Sequence, residues 1–197
     1  MTQPKTKPRT RLTNADYMTM TPPENSGPRY QLINGEIIEM SGASDAHQVF
    51  LMWLCSGLLL QVEDLGIGEI RIPPYDVHID EFNTYQPDLL FVSNARRHVF
   101  NPDGRGITGA PDVVVEILSD STRRRDLNEK LPIYAANGVR EVWIVDLDAA
   151  TVAVHSGDDP MFAPIQTFAA SDTLTSDAMP GVAIDLAPIF ARARPVR

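Results

Sequence analysis

The run from Pro111 to Asp146, "PDVVVEILSDSTRRRDLNEKLPIYAANGVREVWIVD", constrains the fold more than any other part of the chain. Two β-branched runs, "PDVVVEILS" and "VREVWIVD", flank a helical stretch from Ser121 to Asn137. Strands joined through a helix pair in parallel within one sheet, so the chain is read as α/β with a mixed sheet. Gly138 is placed to end the helix, because glycine readily takes the left-handed conformation that follows a last turn. Pro132 lies inside the helix without a backbone N–H, which predicts a kink or a late start.

The remaining elements are arranged around that unit. "LTNADYMTM" predicts a short helix capped by Thr13 with Asp16 three residues later. "RYQLINGEIIEM" predicts a hairpin about Asn34 and Gly35. Ser44 or Asp45 caps a helix with apolar positions at Val49, Phe50, Trp53, Leu54, Leu58 and Val62, which stops before Gly66 and is expected to be largely buried. "GEIRIPPYDVHI", "QPDLLFVS" and "ATVAVHS" read as further strands, and the tail as a short strand with a helical turn. Residues 1–10, rich in proline, lysine and threonine, are expected to be disordered. Residues 11–197 are expected to form a single domain with a helix-and-hairpin extension at its N-terminal side.

A formal net charge of -9 argues against a general polyanion binder. Two local basic clusters, Arg123 to Arg125 and Arg96 to His98, are read either as solvated faces or as basic patches. Cys55 is the one cysteine, which excludes an intramolecular disulfide and a cysteine-only zinc site and reads as cytosolic. The apolar stretch Val49 to Val62 is too short and interrupted to predict a membrane span.

Glu116 is the residue that needs explaining, a carboxylate between Val115 and Ile117 where burying a charge is costly unless something pairs with it. With a side-chain period of two, Asp112, Val114, Glu116 and Leu118 share one face of the strand. "QPDLLFV" offers a second carboxylate, Asp88, at a strand start that Pro87 keeps extended. Two carboxylates converging without histidine or cysteine suit magnesium or manganese rather than zinc. The competing reading is structural, with Glu116 bonded to a helix N-terminus or paired with Arg125 or Lys130. Asp112 reads as a turn-ending residue. Asp126 and Lys130 stand four apart, the spacing of a surface ion pair worth about 0.3–0.5 kcal/mol. The sharper reading turns Lys130 inward, where it can orient a nucleophile or stabilise developing phosphorane charge. His78, His98 and His155 lack ligand spacing and read as surface or strand residues, and Trp53 and Trp143 as core.

Taken in order and spacing, "YQLINGEIIEMSGASDAHQ", "QPDLLFVS", "PDVVVEILSDST", "DLNEKLPIYAANGVREVWIVD" and "LTSDAMPGVAIDLAPIF" resemble the Uma-type restriction-endonuclease family, a branch of the PD-(D/E)XK nuclease superfamily. The resemblance runs over roughly residues 12–190. It implies a restriction-endonuclease-like core, a mixed sheet flanked by helices, and metal-dependent hydrolysis of DNA phosphodiesters with magnesium or manganese. Asp88 and Glu116 match the presumed metal ligands, Glu36 a glutamate typical of the family, and His47 the histidine of its first long helix. The superfamily's lysine lies two residues after the second acid, where this chain has Leu118, and the resemblance points to Lys130 as its replacement. Asp120 stands where relatives commonly have proline.

Two other functions compete with a DNA endonuclease. One is a catalytically inactive descendant that keeps the fold as a binding or dimerisation module. The other is a metal-dependent phosphoesterase on a smaller substrate. Cutting two strands takes two sites, which points to a homodimer.

Overall fold

In the computed structural model, which describes residues 11–20, 29–156 and 163–193, the chain begins with α1 (Asn14–Thr19), capped reciprocally by Thr13 and Asp16 as their spacing predicts. The expected disorder of residues 1–10 lies outside the described residues. A hairpin follows, β1 (Tyr30–Ile33) and β2 (Glu36–Glu39), with Ile33 opposite Glu36. Asn34 and Gly35 both take positive φ, 52° and 78°, the requirement of a two-residue turn whose twist matches its strands. Helix α2 (Asp45–Leu65) starts on the Ser44 side chain and ends at Gly66 in the left-handed conformation.

Next come β3 (Gly68–Arg71), β4 (Val77–Asp80), β5 (Asn83–Tyr85), β6 (Leu89–Ser93), β7 (Ile107–Thr108) and β8 (Val113–Ile117). Helix α3 (Arg123–Arg125) runs through a π-turn, Asp126–Lys130, into α4 (Leu131–Ala136). Gly138, at φ 87°, closes this helix as expected. Strands β9 (Glu141–Asp146), β10 (Thr151–Ser156), β11 (Pro164–Ala169), β12 (Thr173–Thr175), β13 (Ala183–Asp185) and helix α5 (Ala187–Arg192) complete the described chain.

The two strands around the crossover, β8 and β9, are parallel and in register, Glu116 beside Ile144. They lie inside a mixed six-stranded sheet of order β11-β10-β9-β8-β6-β3, and a second sheet has the order β2-β1-β5-β4-β7. One face of the large sheet, through Leu89, Val113, Val115 and Trp143, packs on α2, α5 and the β12–β13 hairpin. Its other face, through Leu90, Val114 and Val142, packs on α4 and the smaller sheet. Coverage on both sides explains why β8 is buried at every position and reads as an almost unbroken apolar run.

Three expectations are corrected. The run "GEIRIPPYDVHI" is not one strand: β3 and β4 belong to different sheets, because Pro73 and Pro74 have no N–H to continue a ladder. Helix α2 is buried along one row only, Phe50, Leu51, Leu54, Leu58 and Val62. By length and composition it would also pass as a membrane span, at 21 residues and a mean hydropathy of 1.2, but that row packs in the core of this domain. Trp53 is accordingly not core: it is 41% exposed, with the Arg192 guanidinium 4.3 Å over its ring.

Candidate active site

Strands β6 and β8 run antiparallel with Leu89 opposite Val115 and Leu90 opposite Val114. One step further along this register, Asp88 falls opposite Glu116, and directly opposed residues project to the same face of a sheet. The Ile117 N–H donates to Asp88 Oδ2 at 2.7 Å. The other oxygen, Oδ1, lies 3.0 Å from Nε2 of His47, a residue fixed in the first turn of α2 by the Ser44 cap. Asp88 is thus oriented from two sides before any ligand arrives.

Glu116 is held from the segmented helix. Lys130 Nζ donates to both of its oxygens at 3.1 Å, and the Tyr134 hydroxyl donates to Oε1 at 2.7 Å. Nζ also lies 3.0 Å from Asp126 Oδ1. The cause is local. Pro132 cannot donate to the carbonyl of residue 128, and its ring crowds that turn; the ladder widens there, with the Leu131 N–H reaching back to the carbonyl of Asp126. Asp126, Lys130 and Tyr134, each four apart, then face the sheet together. The spacing of Asp126 and Lys130 is therefore not a surface pair, since their exposures are 2% and 5%.

Burial dominates the electrostatics. It pushes the Glu116 carboxyl up to about 8, with the charges of Asp126 and Asp88 adding to the effect and Lys130 opposing it. For Lys130, burial would lower the ammonium, but the carboxylates of Glu116 and Asp126 outweigh it and hold the value above that of a free lysine. Burial, then Glu116, also raises the Tyr134 phenol, which stays a donor.

Asp88, Glu116, Asp126 and Lys130 line a cavity of about 320 Å³ together with Arg29, Arg125, Gln86 and His47. Neither Arg29 nor Arg125 makes an ion pair with another described residue. Four of the five residues singled out from the sequence, Asp88, Glu116, Lys130 and His47, line this cavity. Glu36 does not. It opens β2 just past the tight turn, is exposed, and lines a separate depression with Arg11 and Glu129. Sequence reading missed Tyr134 and the inward turn of Asp126; the one signal was their shared spacing of four with Lys130. Asp112 is structural as expected, accepting from the Ser93 N–H at 2.7 Å with Arg96 and Arg140 each 3.5 Å away.

The donors offered to a metal are oxygens, Asp88 and Glu116, and His47 is turned onto Asp88. Among the described residues, histidine, cysteine, aspartate and glutamate side chains form no group of three or more able to hold an ion. Two carboxylates are a donor set that a magnesium ion would use with water and phosphate as its other ligands.

A mixed sheet covered on both faces, with two acids at adjacent strand positions and a lysine beside the second, defines a restriction-endonuclease-like protein. The chain belongs to the family described as "Uma2: Putative restriction endonuclease", whose model matches residues 15–187. An uncharacterized protein of Synechocystis sp., sll1609, is 28% identical over 124 residues, 62% of this chain and 67% of that protein. The fold is shared with a solved structure from Anabaena variabilis, described as "a putative nuclease belonging to DUF820". It aligns with a TM-score of 0.74 at 16% identity, covering 93% of this chain and 99% of that one.

Proposed function

We propose that this chain is a divalent-cation-dependent nuclease that hydrolyses DNA phosphodiester bonds, with Asp88 and Glu116 as ligands of magnesium or manganese. The observation that carries the reading is the buried Lys130 ammonium, 3.1 Å from both oxygens of Glu116. It supplies from the helix the cation that Leu118 leaves missing from the strand. A bound ion supplies Lewis-acid polarisation of the scissile phosphate and acidifies the attacking water. Lys130, kept charged by its two carboxylates, donates to charge that develops on the phosphate oxygens. His47 and the Ile117 N–H hold Asp88 in one orientation, and Tyr134 does the same for Glu116. Arg29 and Arg125, at the cavity wall, meet the backbone phosphates, so local positive charge opposes the net charge of -9. A homodimer supplies the two sites that duplex cleavage takes.

The test is incubation of supercoiled plasmid and single-stranded DNA with the full chain in magnesium, manganese or EDTA, beside Glu116→Ala. Nicking that needs the metal and is lost in the variant supports the reading. No cleavage of either substrate with either metal, or equal cleavage by Glu116→Ala, would overturn it.

A further inference from the structure

We infer that Gln86 is a third protein ligand of the cation site, its Oε1 binding the ion held by Asp88 and Glu116, and that Asp76 is the residue that positions it. The inference rests on the metal-dependent reading above. Among the described residues, Gln86 Oε1 is buried and accepts no hydrogen bond from a protein group, although a buried acceptor left unpaired costs about 1–3 kcal/mol. The other buried side-chain atom in that condition among the described residues, Asp126 Oδ1, has the Lys130 ammonium 3.0 Å away. Gln86 Oε1 has no such partner.

The amide cannot simply be reversed. Its Nε2 donates to Asp76 Oδ1 at 2.7 Å, and turning it over would set the amide oxygen against that carboxylate. Asp76 therefore fixes which atom faces away from it. Gln86 stands two residues before Asp88 across the extended Pro87, so the two side chains leave the chain on the same side, and both line the cavity with Glu116. Three of the donors that share the cavity with it are turned to other partners. The Lys130 ammonium donates to both oxygens of Glu116 and lies 3.0 Å from Asp126 Oδ1. His47 is on Asp88, and Gln31 donates to the backbone carbonyl of Gln86 rather than to its side chain.

The chemistry of the donor fits as well. Charged and imidazole side chains alone provide no group of three among the described residues, so a third protein donor, where one joins the two carboxylates, is of another type. An amide oxygen is a hard ligand accepted by magnesium and manganese. It adds no negative charge to a pocket that already brings Asp88, Glu116 and Asp126 around one lysine.

The test is a titration of the full chain with manganese, reading free Mn²⁺ by electron paramagnetic resonance and folding by circular dichroism. Gln86→Met keeps the length and removes the oxygen; it should weaken Mn²⁺ binding about tenfold or more while the thermal midpoint holds or rises. Gln86→Glu restores an oxygen but sets its second one against Asp76, so it is combined with Asp76→Asn, and that double variant should bind at least as tightly as the wild type. Asp76→Asn, which can accept from or donate to the amide and so releases its orientation, should fall between. If Gln86→Met binds Mn²⁺ like the wild type while Glu116→Gln does not bind, the cation site stands and Gln86 is only a water acceptor. If the wild type itself binds no Mn²⁺, the cation reading fails and takes this inference with it.

Discussion

Glu116 and Glu141 are each 4% exposed and lie on adjacent parallel strands of the same sheet, yet they are solvated by the protein in opposite ways. Glu141 accepts from Trp143 Nε1 at 2.9 Å, Ser176 Oγ at 2.7 Å and the Ala178 N–H at 2.8 Å. All three are neutral donors, and they tie the segment before β13 to the sheet. Glu116 takes an ammonium and a phenol and has two further carboxylates acting on it. An acid whose lone pairs are filled by neutral, fixed donors is a fastening. One held by a cation among other acids is a site at which charge can be exchanged for substrate or metal.

The largest expected effect on this contrast comes from Lys130→Met. It should abolish metal-dependent cleavage, and because it strands Glu116 and Asp126 in the interior it should also cost about 3–5 kcal/mol in denaturant unfolding. Cleavage at the wild-type rate by that variant would return Lys130 to a structural role. On the other side of the comparison, Glu141→Ala leaves three donors unpaired, two of them buried, Trp143 and Ala178, and should lose about 3 kcal/mol or more. Assayed at low temperature, its folded fraction should cleave at the wild-type rate.

A core comparison follows on α2. Leu54→Ala or Leu58→Ala, both fully buried, should each cost about 2–5 kcal/mol. Trp53→Ala should cost about 1 kcal/mol, chiefly through its contact with Arg192. Equal losses at Trp53 and Leu54 would mean the packed row has been misassigned.

The remaining effect is a pH dependence. The folded protein binds a proton at Glu116 more tightly than the unfolded chain, about 8 against 4.5. This acid therefore opposes folding fully above pH 8, and the opposition fades as pH falls toward 4.5. Thermal midpoints measured from pH 8.5 to 5.5 should show this gain in the wild type, and Glu116→Gln should lack it. Glu141→Gln should keep it.

The parts of this arrangement legible in sequence are those that follow from short periods. Strand alternation placed Glu116 on one face, Pro87 placed Asp88 at a strand start, and the crossover from Pro111 to Asp146 implied the parallel pair. Asn34 and Gly35 marked the hairpin. What was not legible depends on packing between distant segments. Asp126, Lys130 and Tyr134 have the spacing of any helix stripe, and only the sheet beneath makes that stripe the inner one. The π-turn at Asp126–Lys130 is a response to Pro132 that could have been a kink or a late start. Trp53 sits one position from the buried Leu54, too close for periodicity to tell the edge of a face from its centre. Glu36 was carried over by resemblance, and the tight turn before it sends it to another depression. Glu141 gave no signal at all, since its donors come from residues 176–178.

The central claim is that of these two buried glutamates only Glu116 performs chemistry. Its most direct test is the initial rate of magnesium-dependent plasmid nicking by Glu116→Gln and Glu141→Gln, assayed side by side at a temperature where circular dichroism shows both folded. The account predicts a loss of about 10³-fold for Glu116→Gln and a rate within about twofold of wild type for Glu141→Gln. Retained nicking in Glu116→Gln, or equal loss in both variants, would contradict it.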